Sequence, residues 1–193
     1  MGLRPLRLLP GIVLVVSGCA TAGRADGPKR HDDENAASFR IFNERIQEYA
    51  RRQKAAEAAH PAAKVSDQPE LIVARQQELA KTIREARPEA HRGDIFTEDI
   101  GESFRHVIRR QFQGPTGSNI RATLSQGDPL KAWQLAVNQP YPATVPSTTV
   151  PPSLLLNLPE LPEGVSYRIV GRDLVLLDAK ANLVIDVLVR AIP

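Results

Sequence analysis

The chain carries one cysteine in 193 residues, so no disulfide can close within it and no cysteine cluster can hold a metal. Aromatic residues are scarce at 5%, with a single Trp, which points to a modest core for the length. No block of one-signed charge exists. Taking Arg4 and Arg7 from the 25 basic residues, as removal of a leader would, leaves 23 against 22 acidic ones, interspersed along the chain. Nucleic-acid binders concentrate Lys and Arg on one surface to neutralise phosphates, so nucleic acid is not an expected partner. A run of about 20 apolar residues, the length needed to cross a bilayer as a helix, is also missing.

Recurrent catalytic signatures are absent as well. The four histidines, His31, His60, His91 and His106, form no short His-x-x-x-His pair. There is no Gly-x-Ser-x-Gly elbow and no Ser-x-x-Lys, and Gly114-Pro115-Thr116-Gly117 lacks the lysine of a phosphate loop. His91 with Asp94, Glu98 and Asp99 is the densest polar cluster, and it reads as a solvated loop with acids at a helix start. Asp173, Asp178 and Asp186 could pair for acid–base work, but beside turns aspartate is common for turn chemistry alone. Arg105, His106, Arg109 and Arg110 read as the solvated face of a helix. No catalytic residue, metal ligand or cofactor is assigned.

What is present starts at the N-terminus. Arg4 and Arg7 precede a short apolar stretch, Leu8 to Val16, interrupted by Pro10 and Gly11, as in a signal peptide. Val16-Ser17-Gly18-Cys19 then resembles the lipobox of bacterial lipoproteins: an aliphatic residue, two small ones and a cysteine. That resemblance implies cleavage between Gly18 and Cys19, diacylglycerol on the Cys19 sulfur and a further acyl chain on the new N-terminus. Several chains together give anchoring that one alone does not. It also implies a periplasm-facing location in the cell envelope. Ala20, where an aspartate would favour inner-membrane retention, points to the outer membrane of a Gram-negative cell.

The expected organisation is a signal peptide over 1–18, a lipidated flexible tether over 19–33, a helical region over 34–114, a proline-rich extended segment over 115–163 and a small antiparallel sheet over 164–193. Phe39, Phe42, Ile46 and Tyr49 recur at spacings of three and four, predicting a helix over about 34–59 that stops at His60-Pro61. A second helix follows a Ser66-Asp67 cap, with Pro69 in its first turn and Ile72, Leu79, Ile83 and Ala86 on its apolar face. A third runs from Thr97 to Gly114 and buries Ile100, Phe104, Val107 and Ile108. Packing of these helices on their own chain is favoured over docking to a partner. A helical turn at 119–125 and another at 153–158, opened by Pro152, are further expectations.

Alternation at Trp133, Leu135 and Val137 suggests a short strand. Three β-rich runs, Val165 to Val170, Leu174 to Asp178 and Leu183 to Val189, are separated by Gly171-Arg172 and Lys180-Ala181-Asn182, which describes a three-stranded meander. The stretch Tyr167 to Asp178 and the following NLVID run are similar to the ends of uncharacterised exported bacterial proteins. They also resemble the terminal hairpin of small periplasmic domains of the nickel/cobalt-homeostasis accessory type. The resemblance implies a hairpin and carries no activity.

The expected class is therefore α+β. The expected function is a membrane-tethered, non-enzymatic interaction or accessory module of the envelope, with the membrane and an envelope protein as partners. The alternative is an envelope hydrolase or small-ligand-binding protein with a site between the C-terminal sheet and the helices.

Overall fold

A computed structural model describes residues 28–60, 69–125 and 134–193. The Val16–Cys19 signal, the tether up to residue 27, the Ser66-Asp67 cap and Trp133 lie outside these residues.

Helix α1 spans Pro28–Ala59. Phe42, Ile46, Tyr49, Gln53 and Ala56 follow one another at spacings of three and four, and all five are buried. The stripe thus packs on its own chain. The helix starts at Pro28, so 28–33 is helix where tether was expected. Proline suits a first helical position, and contacts from residues 106–110 support the early turns: Asn35 is hydrogen-bonded to His106 and Asp32 is paired with Arg110.

Helix α2 spans Pro69–Glu85 and buries Leu79, Ala80 and Ile83. Only its second half packs, so Ile72 is half-exposed and Ala86 is exposed, contrary to the expected stripe. Helix α3, Glu98–Gln113, forms where expected and buries Ile100, Phe104, Ile108 and Phe112, whereas Val107 is only partly buried against the core. Thr97 precedes it without a side-chain capping bond, which leaves Glu98 and Asp99 in the first turn to complement the helix dipole.

Within the proline-rich segment the two expected helical turns form, as helix α4, Gly117–Ser125, and a one-turn helix α5, Pro152–Leu155. Gly117 lies so close to the Phe112 carbonyl that a Cβ would sit 2.0 Å from its oxygen, so glycine allows the chain to reverse there. No strand forms over 134–138. Asn138 adopts a left-handed conformation that breaks the run, and only from there on does the chain meet β4, the Asn138 N–H donating to the Val184 carbonyl and the Val184 N–H to the Gln139 carbonyl.

The sheet has four antiparallel strands in sequence order: β1 (Thr148–Thr149), β2 (Val165–Val170), β3 (Asp173–Asp178) and β4 (Leu183–Leu188). The expected meander is β2–β4; the proline-rich traverse adds β1 as a fourth strand. Gly171 and Asn182 take the positive φ that the two turns require.

Leu176 pairs with Asp186 and Leu177 with Val184, so Ile185 is the extra residue of a bulge. A side-chain period of two would send Ile185 and Asp186 to opposite faces; the bulge keeps both on the helix side. That face meets α1 and α3 through Tyr167, Leu174, Leu176 and Ile185. Phe39, Phe42, Phe96, Phe104 and Tyr167 form one aromatic cluster, with ring centroids such as Phe42–Phe104 at 4.9 Å and Phe96–Phe104 at 5.1 Å. Few as they are, the aromatics are concentrated where helices meet sheet. The opposite face carries Val170, Val175, Val184 and Val187 under Leu135 and Val145, so the sheet is covered twice.

Candidate functional site

The two strand aspartates are the first candidates for chemistry, and both are fully buried. Asp178 closes β3 and accepts hydrogen bonds from Tyr49 Oη at 2.6 Å and Gln53 Nε2 at 2.8 Å, both on α1. Its other oxygen accepts the Lys180 and Ala181 N–H groups of the following turn, each at 2.9 Å. Asp186 accepts three N–H groups from the segment ahead of α3, those of Gly93, Ile95 and Phe96, and its own neighbour Val187. A buried carboxylate is tolerated when its lone pairs are satisfied, and here four donors meet each one.

These groups act as clamps. Asp178 fastens α1 to the sheet and Asp186 fastens the loop that launches α3. Burial, then the nearby Asp178 charge, push the Tyr49 hydroxyl far above its ordinary range, so it remains a proton donor to that carboxylate. Asp173 accepts the Arg190 N–H at 2.8 Å, a bond to the chain after β4 and not within its own turn. The sequence reading missed the clamp role of Asp178 and Asp186. A signal was available for Asp186: a lone charge inside the apolar run Leu183–Leu188 must find partners if the strand is covered.

The remaining polar candidates are brought together only locally. His91 is three-quarters exposed and lies 2.8 Å from Asp94. Glu98 and Asp99 stay at the solvent-facing start of α3. Arg105 reaches Glu102 and the Val189 carbonyl, His106 meets Asn35, and Arg109 is exposed. Among the described residues no group of three His, Cys, Asp or Glu side chains could hold a metal, and no helix is long and apolar enough to cross a membrane. The region between sheet and helices, where the alternative reading would put a site, is filled by the core.

An open surface remains at the other side of the sheet. β1 is only two residues long and pairs with Arg168 and Ile169, leaving 165–167 of β2 without a strand neighbour on that side. Beside this stretch lies a groove of about 520 Å³ walled by Leu155, Leu156, Leu158 and Leu161 and floored by Val165 and Tyr167. Tyr167 Oη donates to the Pro159 carbonyl at 3.1 Å, fixing the wall to the floor. Within the groove, Ser166 Oγ is buried and has no hydrogen-bond partner. Leu156 is 86% exposed and Leu155 46%. Leu155 and Leu156 point outward because Leu154 and, one turn on, Leu158 take the core-facing positions.

No protein-family model matches the chain, and neither the curated proteins nor the solved structures hold a match to it.

Proposed function

We propose that this protein is a bacterial lipoprotein, anchored through lipid on Cys19 in the cell envelope and facing the periplasm. Its folded part is a non-enzymatic interaction module that receives an extended segment of an envelope protein along the free edge of β2. The observation that carries the module reading is the coincidence, at 165–167, of an apolar groove with a stretch of β2 that has no strand neighbour, although the Val165 N–H there already meets the Pro162 carbonyl. An added strand gains main-chain hydrogen bonds from the edge, and its alternate side chains enter the groove. The buried aspartates support the same reading, since their oxygens are already engaged in holding α1 and the 93–96 loop. The anchor rests on Val16-Ser17-Gly18-Cys19 and the leader before it.

Two measurements test the two halves. Cys19→Ser should leave uncleaved precursor or release the protein to the soluble fraction. A fully processed, membrane-bound variant contradicts the anchor. For the module, a photo-crosslinking residue at Leu156 in intact cells should give a discrete adduct, while one at Arg190, on an exposed turn, gives none. The adduct should vanish when Leu155 is changed to Asp in the same chain. An adduct that persists in Leu155→Asp, or equal labelling from both positions, contradicts docking at the groove.

A further inference from the structure

Two charges border the groove beside β2. Arg168 stands at the end where β1 stops, half-buried and paired in register with Thr149. Its guanidinium donates to Thr149 Oγ1 at 3.2 Å, which holds it where β1 leaves the sheet. Among the described residues no carboxylate pairs with it. A guanidinium carries several donors, so one neutral hydroxyl leaves its charge and most of its fork open to a partner. Glu160 stands on the leucine wall, exposed and with no cation paired to it among the described residues.

The two charges serve different faces of the edge. Val165 and Tyr167 turn toward the helices, where the leucine wall packs, and Val170 turns to the opposite side of the sheet. The period of two then puts Ser166 and Arg168 on the side of Val170. A segment lying beside 165–167 alternates in the same way. Its residues opposite Val165 and Tyr167 enter the groove, and the one between them, opposite Ser166, lies diagonally from Arg168. Diagonal neighbours across a strand pair are about 7–8 Å apart, within reach of a side chain as long as that of arginine. On the groove side an acid is disfavoured twice, by the like charge of Glu160 and by desolvation among the leucines.

We infer that the segment received at β2 carries an acidic residue flanked by two apolar ones, the acid meeting Arg168 and the apolar pair filling the leucine groove. This rests on the docking reading above and adds the chemistry of the partner, an extended stretch of polypeptide with the pattern apolar, acidic, apolar.

The test titrates the full-length protein at low ionic strength with pentapeptides blocked at both ends, reading the backbone amide signals of Ser166 and Tyr167. The peptide Thr-Leu-Asp-Leu-Thr should bind saturably. Exchanging its Asp for Lys should weaken binding about fivefold, the scale of one exposed charge pair, and the difference should shrink at high salt. Thr-Asp-Leu-Leu-Thr, of the same composition, should also bind more weakly, since only one of its leucines can enter the groove while its acid faces Arg168. In Arg168→Gln the Asp and Lys peptides should bind alike; if that variant does not fold, the peptide series in the unaltered protein decides. Equal binding of the Asp and Lys peptides, tighter binding of the Lys peptide, or a preference that survives in Arg168→Gln would each overturn the inference and leave the docking reading standing. Failure of every peptide to bind would overturn it as well, and the crosslinked adduct at Leu156 would then decide whether the docking reading falls with it.

Discussion

The two margins of the sheet are built in opposite ways. Along β4 every residue is buried, and residues 138–141 run beside the outer edge, trading hydrogen bonds with Val184 and Asn182. Asp186 in the middle of that strand gathers the 93–96 loop onto the sheet. At the other margin β1 covers two residues of β2 and then departs, and the neighbouring surface exposes Leu155 and Leu156. Exposed strand edges invite pairing, so natural proteins cover them unless the edge has a use. The contrast separates a margin that holds the fold from a margin free to receive something.

Four substitutions grade that contrast. Asp186→Ala should have the largest effect, about 4 kcal/mol, because it strands the buried N–H groups of Ile95 and Phe96 and the part-buried one of Gly93 without an acceptor. Chemical denaturation measures it, and a loss below that of Leu176→Ala breaks the assignment of Asp186 as the main clamp. Leu176→Ala should follow at about 3 kcal/mol, the range for a fully buried leucine left as a cavity. Tyr49→Phe removes one donor from Asp178 while three remain, so about 1.5 kcal/mol is expected from the same titrations. Leu156→Asp should change stability by less than about 0.5 kcal/mol, since the side chain is almost free of contacts. A large loss there would mean that the groove is part of the core and not a docking surface.

How much of this was legible in the sequence depends on how local the cause is. The third helix is bounded by Thr97 and Gly114 and has its apolar residues at regular spacing, and it forms where those signals put it. The β2–β4 meander follows from Gly171-Arg172 and Lys180-Ala181-Asn182, whose conformations are set by neighbours in the chain. By contrast, Asp178 meets Tyr49 across 129 positions and Asp186 meets Gly93 across 93, and no local pattern encodes such partners. Pairing of Thr148 and Thr149 with β2 was hidden for the same reason: two residues among prolines carry no strand period. The expected strand at 133–138 failed because alternation over so few residues cannot reveal the left-handed Asn138. The proposed anchor draws on the sequence alone, at Val16 to Cys19, whereas the proposed docking edge of β2 draws on the fold.

The central claim is that a buried carboxylate on β4 holds the margin opposite the open one, and amide hydrogen exchange tests it most directly. Ile95 and Phe96 belong to no helix or strand, and by local structure alone their amides should exchange quickly. Because both donate to Asp186 at 2.8 Å in a buried setting, the account predicts protection approaching that of the β3–β4 ladder. It also predicts that this protection collapses in Asp186→Ala. Rapid exchange of Ile95 and Phe96 in the unaltered protein, comparable to that of exposed loop amides, would contradict it.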